Sequence, residues 1–451
     1  MSTKDEGALV NALSVYMDNQ LVGLLHRTEP LSFTYDPGWL ASAEAKPLDP
    51  SLPLSPERID SPHVHAFFEN LLPEGDQRRI VALRHQVSSV FGLLATVGGD
   101  SAGSIVLLPE GQAPQAPIYQ RLTWDQVDAL VHNDGKLARE REAIDAAATG
   151  MPAPRLTISG AQFKILLSLD ESGQPLRPMG STPSTHILKP DIVRTDINIF
   201  ASSINETIVM RAAQLCELPT AKVSYQPSVK ACLVERYDRL LRPDGTLARL
   251  WQADFCQIAG KPSDVKYEKD GGPSFKGCFD IVGASVQPGV DRRNLLRWLF
   301  FNLYVGNNDS HAKNLSLLAT QDGLRLAPFY DLMSTRVYSG LGSNFAFSIG
   351  GECEPGKMGP EHLERLAKTL GIAPKYVKRI AHDTALRVST AIPAAVQALL
   401  PSLGPTEKVM AERIERKIGS LVKRMSARLN AGQSDSQLSA DEDSGESSGP
   451  R

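Results

Sequence analysis

Residues 306–331 constrain the fold of this chain more than any other segment. Two short apolar runs flank the polar turn Thr-Gln-Asp-Gly, a pattern that predicts a β-hairpin. Asp309 and Asn314 precede the hairpin, and Asp331 follows it. Because a hairpin returns the chain to its starting point, these three side chains should converge at one end of a small sheet.

An Asp followed five residues later by Asn, then by a hairpin and a second Asp, is the catalytic arrangement of protein kinases. In that arrangement Asp309 accepts the proton of a substrate hydroxyl, while Asn314 and Asp331 hold magnesium on the ATP phosphates. The alternative interpretation is a polar loop that ends in two acidic residues. The hairpin and the second Asp support the kinase interpretation, because magnesium requires hard oxygen ligands on a rigid support.

Composition and charge argue against several other classes of protein. The chain has 451 residues, room for two to four domains, and its formal net charge of −3 does not indicate an independent nucleic-acid binder. Its five scattered cysteines indicate a reduced, intracellular protein rather than a disulfide framework or a zinc site. The chain shows neither an apolar run of about 18 residues nor a signal-peptide pattern, so we expect a cytoplasmic protein without a membrane partner.

The order of the predicted elements indicates an α+β protein. Residues 12–109 predict a small α+β module that begins with two strands around an Asp18-Asn19 turn. Residues 360–429 are helical throughout, and the last helix carries a face rich in Lys, Arg and Glu. A solvated face is the default interpretation, and contact with an acidic partner or DNA phosphate is the alternative. Residues 431–451 are rich in Ser, Gly, Asp and Glu and are expected to be disordered.

Two central segments contain candidate phosphate contacts. Residues 155–169 predict two strands around the turn Ser159-Gly160-Ala161, whose backbone amides can approach a phosphate. Taken alone, this pattern is more typical of a simple hairpin. A short strand ends near Lys189, which is either solvated or reaches nucleotide phosphates, as the strand lysine of kinases does.

The helix predicted at residues 203–217 leaves two roles open for Glu206. Ser203 and Glu206 have the spacing of a capping box, in which Glu206 caps only its own helix. The alternative is that Glu206 pairs with Lys189, as the helical Glu of kinases does. The capping box is the more economical interpretation and is preferred here. A further charged segment, 235–239, forms either surface ion pairs or the hinge that meets the adenine.

Together these segments resemble the HipA family of bacterial toxin kinases, and the resemblance extends to about residue 430. It includes the N-terminal module and is strongest in six motifs that occur in order. These are Ser159-Gly-Ala-Gln162, Thr185-His-Ile-Leu-Lys189, Val234-Glu-Arg-Tyr-Asp-Arg239, Val265-Lys-Tyr-Glu-Lys-Asp-Gly-Gly-Pro273, Asp309-Ser-His-Ala-Lys-Asn314 and Pro328-Phe-Tyr-Asp331.

The resemblance implies a two-lobed, protein-kinase-like fold of the α+β class. Residues 1–110 would form a small N-terminal α+β subdomain. Residues 111–240 would form an N-lobe-like region with nucleotide loop, strand lysine and hinge. Residues 241–430 would form an all-helical C-terminal lobe that contains the catalytic and metal-binding loop, followed by the disordered tail 431–451.

The resemblance also implies Mg²⁺- and ATP-dependent serine/threonine protein kinase activity. Known substrates in the family are aminoacyl-tRNA synthetases, whose phosphorylation slows translation and growth. A helix-turn-helix antitoxin is the implied partner, and the pair binds operator DNA and represses its own operon. The alternatives are a kinase-fold co-repressor or binding protein with little catalysis, and a small-molecule kinase.

Carried over residue by residue, the resemblance makes Asp309 the catalytic base and Asn314 and Asp331 the metal ligands. The implied ATP-binding residues are Ser159, Gly160, Ala161, Gln162, Phe163, Lys164, Lys189, Glu235, Arg236, Tyr237, His311, Lys313, Asn314, Tyr330 and Asp331.

Two departures from the family pattern concern regulation. The family's inhibitory autophosphorylation site is commonly a Ser three residues before the Gly of the Gly-Ala-Gln turn, and here Thr157 stands at that position. A second hydroxyl, Ser159, directly precedes the turn, so autophosphorylation is expected on Thr157, Ser159 or both. Phe163 replaces the Pro or acidic residue that is frequent after the Gln.

Overall fold

The chain folds into a series of antiparallel sheets followed by a helical C-terminal region. The computed structural model describes residues 10–132, 138–194 and 196–430. The predicted disordered tail, 431–451, lies outside the described residues. The sheets within those ranges have four, six, two and three strands.

The N-terminal subdomain contains the four-stranded sheet, in the order β3-β2-β1-β4. Its elements are β1 (Ala12–Met17), β2 (Gln20–His26), β3 (Ser32–Tyr35), α1 (Pro37–Leu40), α2 (Pro62–Glu69), α3 (Gly75–His85), α4 (Val90–Val97) and β4 (Ile105–Pro109). The predicted turn at Asp18-Asn19 is confirmed, and Asp18 has the left-handed φ of 54° that Asp tolerates better than most residues. Phe33 and Tyr35 are buried in its core with ring centroids 4.9 Å apart.

The middle of the chain forms the six-stranded antiparallel sheet, in the order β5-β7-β6-β8-β10-β9. Its elements are β5 (Ile118–Arg121), α5 (Trp124–Val131), α6 (Ala138–Ala147), β6 (Ile165–Leu169), β7 (Pro175–Met179), β8 (His186–Pro190), α7 (Ser202–Leu215), β9 (Val223–Gln226) and β10 (Ala231–Glu235). Strand β8 carries Lys189 beside Cys232 of β10, so the lysine lies at the centre of this sheet.

The prediction of a hairpin at residues 155–169 is wrong for its first strand. Only β6 forms there, whereas the segment before Gly160 makes isolated bridges from Leu156 to Asp100 and from Gly160 to Pro73. Its backbone groups thus pair with the N-terminal subdomain instead of folding back on β6.

The C-terminal region is mainly helical. Its elements are β11 (Arg239–Leu241), β12 (Leu247–Arg249), β13 (Gln252–Asp254), α8 (Phe255–Ile258), α9 (Phe275–Ile281), α10 (Pro288–Val305), β14 (Ser316–Thr320), β15 (Gly323–Leu326), α11 (Pro360–Leu370), α12 (Pro374–Leu399) and α13 (Pro405–Leu429). The predicted hairpin is confirmed as β14–β15. The expectation of an all-helical lobe is wrong, because β13 pairs with the open edge of β14 and completes a three-stranded sheet. Buried Trp298 of α10 stacks on Phe329 just after that sheet, with centroids 5.8 Å apart.

A buried charge cluster joins the N-terminal subdomain to the rest of the chain. Asp100, fully buried, pairs with Arg239 at 2.8 Å and with Arg249 at 3.1 Å. Arg236 donates to Asp238 at 2.8 Å and lies 3.4 Å from Asp100. Burial alone would raise the pKa of Asp100, but the three guanidinium groups outweigh it and hold that pKa well below its usual range.

Replacing Asp100 by Asn should therefore destabilise the protein by about 3–5 kcal/mol, because it leaves buried guanidinium groups without their carboxylate. The free energy of unfolding in urea measures the loss. Asp244→Asn, on an exposed turn, is the matched control and should change it by less than about 0.5 kcal/mol. The pKa of Asp100 is lower in the folded than in the unfolded protein. Its contribution to the free energy of unfolding is therefore complete above the unfolded pKa and is lost as the pH falls from the unfolded pKa through the folded pKa. Equal stability of Asp100→Asn and the control would contradict this role.

No single helix within residues 10–132, 138–194 and 196–430 has the length and apolarity of a membrane span. Helices α3 and α4, bent by 77°, pass that test only as a pair, by length and composition.

Candidate active site

A cleft of about 1780 Å³ is lined by β8, β10, the segment around Gly160 and the loops on both sides of the β14–β15 hairpin. Every candidate catalytic, metal-binding and ATP-binding residue named above lines this cleft. The sequence prediction that Asp309, Asn314 and Asp331 converge is therefore confirmed.

The loop that carries Asp309 is fixed by the end of helix α10. Gly306 ends the helix with φ 69°, a left-handed conformation that glycine adopts without strain. The side chain of Asn307 donates to Asn302 at 2.8 Å, and its Oδ1 accepts from the backbone N–H of Asp309 at 3.3 Å. The Asp309 side chain is 59% exposed and opens to the cleft. The backbone of Asp309 is thus held by the Asn307 side chain, while its carboxylate remains accessible from the cleft.

Asn314 and Asp331 supply oxygen atoms at the same end of the hairpin. The Nδ2 of Asn314 donates to the backbone carbonyl of Asp309 at 3.1 Å. Asp331 has φ 60°, an uncommon conformation for a residue with a side chain and one that clusters at functional sites. An amide oxygen and a carboxylate match the hard donors that magnesium prefers, with phosphate oxygens and water as its other ligands.

The structure holds no cluster of three or more His, Cys, Asp or Glu suited to a metal within the ranges it describes. A site that depends on a bound nucleotide for its remaining ligands fits this result. Asn314 and Asp331 would hold the ion, and their role as metal ligands stays a prediction.

Lys189 lies between two carboxylates at the centre of the cleft. Its Nζ donates to Glu206 at 2.6 Å and to Asp331 at 2.7 Å. Burial alone would lower the pKa of Lys189, but Asp331 and Glu206 together raise it, so the lysine is charged. Burial would raise the pKa of Asp331, and Lys189 and Lys164 hold it well below its ordinary value. Lys189 is thus held as a cation between helical Glu206 and Asp331, an arrangement that resembles the Lys–Glu ion pair of protein kinases.

The preference for a capping box at Glu206 was wrong. Helix α7 begins at Ser202 after Ala201, which makes no side-chain cap. The first turn is instead capped from outside, where Asp191 accepts from the Ser203 backbone at 2.9 Å and from its hydroxyl at 2.7 Å. Glu206 is therefore free of a capping role and reaches Lys189.

The predicted nucleotide loop is built around Lys164. Its Nζ donates to the carbonyl of Ser159 at 2.6 Å, and a Cβ on Gly160 would lie only 2.6 Å from that nitrogen. Burial and the neighbouring Lys189 lower the pKa of Lys164 to about 8. Gln162 donates to the carbonyl of Pro190 at 3.1 Å, which ties the loop to the end of β8. The loop therefore brings the Lys164 ammonium and the backbone around Gly160 to the wall of the cleft.

The two candidate autophosphorylation residues have different environments. Thr157 is 3% exposed, and its hydroxyl donates to the carbonyl of Leu71 at 3.3 Å. Its backbone N–H donates to the backbone carbonyl of Asp100 at 2.9 Å. Ser159 is half-buried and lines the cleft. A phosphate on Thr157 would require the segment to leave the N-terminal subdomain, whereas Ser159 already faces the cleft.

Two charged residues that are predicted to bind ATP form hydrogen bonds and ion pairs with other protein groups. The Nζ of Lys313 donates to Asn70 at 2.6 Å and to Asp254 at 2.8 Å. Arg236 donates to Asp238, as described above. Both side chains thus pair with protein groups, among them Asn70 and Asp100 of the N-terminal subdomain. Because their hydrogen-bond donors are engaged in this way, direct contact of either side chain with a phosphate is not favoured.

The remaining predicted residues form the walls of the cleft. Glu235 is exposed and lies 3.1 Å from Lys222. Tyr237 and Tyr330 are neighbours, with ring centroids 6.1 Å apart, and the Tyr330 hydroxyl donates to the carbonyl of Lys313 at 2.7 Å. Two further wall residues are Phe163, which is 38% exposed, and His311, which is buried. Burial lowers the pKa of His311 well below its ordinary value, so His311 is neutral.

Four site residues were missed as functional candidates, namely Asn70, Glu74, Lys266 and Tyr267. Lys266 donates to Glu74 at 2.6 Å, and the Tyr267 hydroxyl donates to Asp309. The backbone N–H of Glu74 donates to Gly160 at 3.1 Å. All four lie in segments covered by the family resemblance. That resemblance was the one feature of the sequence that could have identified them as site residues.

Comparison with known families agrees with this geometry. The family model of the HipA-like C-terminal domain matches residues 156–392, more than half of the chain. The chain belongs to the HipA family. The model of the HipA N-terminal domain matches residues 13–115, so HipA-type sequence extends across both parts of the chain.

Individual relatives match over most of their length. The chain is 36% identical over 381 residues to the putative kinase Y4mE of Sinorhizobium fredii, covering 82% of this chain and 88% of the relative. It is 27% identical over 416 residues to the serine/threonine-protein kinase toxin HipA of Shewanella oneidensis, covering 88% and 91%. The solved structure of Shewanella oneidensis HipA with HipB and its operator DNA matches with a TM-score of 0.76 at 24% identity, covering 92% and 97%. This HipA-family protein therefore has the kinase-like HipA fold.

Proposed function

We propose that this protein is a cytoplasmic serine/threonine protein kinase that transfers the γ-phosphate of Mg²⁺-bound ATP to a protein. The observation that carries the proposal is the convergence of Asp309, Asn314 and Asp331 with the Lys189–Glu206 pair in one cleft. Two relatives named as kinases support it.

Each of these residues has a separate role in the proposed phosphoryl transfer. Asp309 accepts the proton of the acceptor hydroxyl. Lys189 binds ATP phosphates, and Asn314 and Asp331 hold magnesium, which when bound neutralises the charge on those phosphates. The loop that contains Gly160 covers the nucleotide with backbone donors.

We propose the remaining assignments from the family resemblance and the named relatives. The protein would be the toxin of a toxin–antitoxin pair, bind a helix-turn-helix antitoxin, and reach operator DNA through that partner. Its protein substrate would be an aminoacyl-tRNA synthetase, whose phosphorylation slows translation. The Shewanella relative, a toxin kinase solved with HipB and operator DNA, supports the toxin and partner assignments. The intact base and metal positions favour an active kinase over a co-repressor with little catalysis.

We further propose that autophosphorylation on Thr157, Ser159 or both inhibits the enzyme. A phosphate adds close to two negative charges beside a loop that receives ATP phosphates. On Thr157 it would also occupy a buried position against Leu71, so the modified segment would have to leave its site on the N-terminal subdomain.

Incubation with Mg²⁺ and ATP, with and without cell lysate, followed by phosphopeptide mapping tests both proposals. The expected result is a self-label on Thr157 or Ser159 together with a labelled protein in the lysate. Thr157→Ala combined with Ser159→Ala should remove the self-label, and the labelled form should bind ATP more weakly in titrations than the unlabelled form.

The matched control combines Ser172→Ala with Thr246→Ala, two exposed hydroxyls on turns, and should retain the self-label. A self-label elsewhere, or equal ATP affinity of the two forms, would reject the regulatory mechanism. A protein that transfers no phosphate to itself or to any lysate protein would reject the kinase assignment.

A further inference from the structure

The catalytic carboxylate has one hydrogen-bond donor among the side chains that the structure describes. The hydroxyl of Tyr267 donates to Oδ1 of Asp309. Nε2 of His311 lies 4.0 Å from the same oxygen, beyond hydrogen-bond distance. Tyr267 comes from a loop 42 residues earlier in the chain, so only tertiary packing brings the two together.

An exposed aspartate needs such a contact to hold one orientation. The Asp309 side chain is 59% exposed, and a free side chain exchanges among staggered rotamers. A general base must remain within hydrogen-bond reach of the proton it removes. A donor that fixes one carboxylate oxygen leaves the other available for the acceptor hydroxyl.

The Tyr267 ring is itself held from several sides. His311 meets it edge-on, with centroids 5.1 Å apart and an interplanar angle of 84°. The Nζ atoms of Lys266 and Lys269 lie 5.7 and 5.8 Å from its centroid, within the range of a cation–π contact. Lys266 is paired with Glu74 at 2.6 Å, so the N-terminal subdomain supports the ring through this lysine.

Two contacts hold the loop around Tyr267 in place. A Cβ on Gly272 would lie 2.6 to 2.8 Å from backbone atoms of Val265, Lys266 and Tyr267, so only glycine allows this close turn. Glu268 accepts from the backbone N–H of Ser348 at 2.9 Å, which ties the loop to the C-terminal region. The position of the hydroxyl is therefore determined by the fold.

We propose that Tyr267 is a positioning residue for phosphoryl transfer, which holds Asp309 in the orientation that accepts the proton of the acceptor hydroxyl. The Glu74–Lys266 pair in turn holds the Tyr267 ring. This inference rests on the proposed kinase function and adds to it a role for the N-terminal subdomain in catalysis.

Tyr267→Phe tests the inference, with transfer of γ-phosphate from labelled ATP to protein measured over a range of ATP concentrations. We expect the maximum rate to fall about tenfold, the loss typical of one hydrogen bond to a charged group. The ATP concentration for half-maximal rate should be unchanged, because the lost hydroxyl contacts Asp309 and not Lys189 or Lys164. Lys266→Met should also lower the maximum rate, because it removes a support of the Tyr267 ring. Tyr16→Phe, which removes a hydroxyl bonded to the carbonyl of Gln112, is the matched control and should change neither quantity.

The outcomes separate the two proposals. If wild type transfers phosphate and Asp309→Gln does not, but Tyr267→Phe matches wild type in maximum rate, the positioning role is wrong and the kinase function stands. A faster Tyr267→Phe enzyme would also overturn it, since Tyr267 would then be an obstacle to the acceptor. An inactive wild type, or an active Asp309→Gln variant, would overturn the proposed function and this inference with it.

Discussion

Replacement of Asp309 by Gln is expected to lower phosphate transfer to protein by about 10²–10⁴-fold while the fold is retained. An amide does not accept a proton at neutral pH, and the exposed position of Asp309 leaves room for the additional methylene of Gln. Because the Asp309 side chain is 59% exposed, the change leaves no buried charge without a partner, and the Tm should change little. Phosphate transfer from labelled ATP and thermal unfolding of the same protein give the two measurements.

Asp322→Gln is the matched control, since Asp322 lies on the exposed turn of the β14–β15 hairpin and loses the same charge. It should keep the wild-type rate. Asp331→Asn should be as inactive as Asp309→Gln, and Asn tolerates the φ of 60° at this position. A folded Asp309→Gln protein that labels itself at near wild-type rate would contradict the assignment of the base.

Replacement of Glu206 by Gln is expected to lower ATP turnover by about 10²-fold, the scale of a misplaced catalytic group. Lys189 is held between Glu206 and Asp331, and removal of one carboxylate allows its ammonium to move toward the other. The stability loss should be smaller than the about 3–5 kcal/mol of a broken buried ion pair, because Asp331 remains as a partner. A residue that only caps its helix would cost about 1 kcal/mol and leave turnover unchanged.

Turnover and the free energy of unfolding should be measured on the same Glu206→Gln sample. Glu217→Gln is the control, because that carboxylate, 71% exposed, follows helix α7 and pairs with Arg387 on the surface. It should affect neither quantity appreciably. Full turnover in Glu206→Gln would show that the pair with Lys189 is not required.

The parts of the site that lie close in sequence were predictable. The β14–β15 hairpin follows from two apolar runs and a glycine-ending turn, and it necessarily brings Asp331 back to Asp309 and Asn314. Strand β8, which carries Lys189, was predictable from its own short apolar segment. Such elements are encoded by side-chain periodicity and turn chemistry, which act over a few residues.

The partners of the charged side chains were not predictable from local pattern. Glu206 had the spacing of a capping box, but Asp191 caps the helix and leaves Glu206 to Lys189. Lys313 lies in the same motif as Asp309 and Asn314, yet its ammonium group donates to Asn70 and Asp254. In both cases several local partners were chemically acceptable, and only the packed chain determined which one was near.

The sequence by itself determined that Asp309, Asn314 and Asp331 meet at one end of a hairpin, because those residues lie on short elements with strong local signals. Only the tertiary structure decided that the N-terminal subdomain takes part in the site. It does so through Glu74, which meets both Gly160 and Lys266, and through the buried position of Thr157 against Leu71. These contacts join residues about 85 to 190 positions apart, and the physical reason is that a hydrogen bond or ion pair at that separation depends on how whole elements pack.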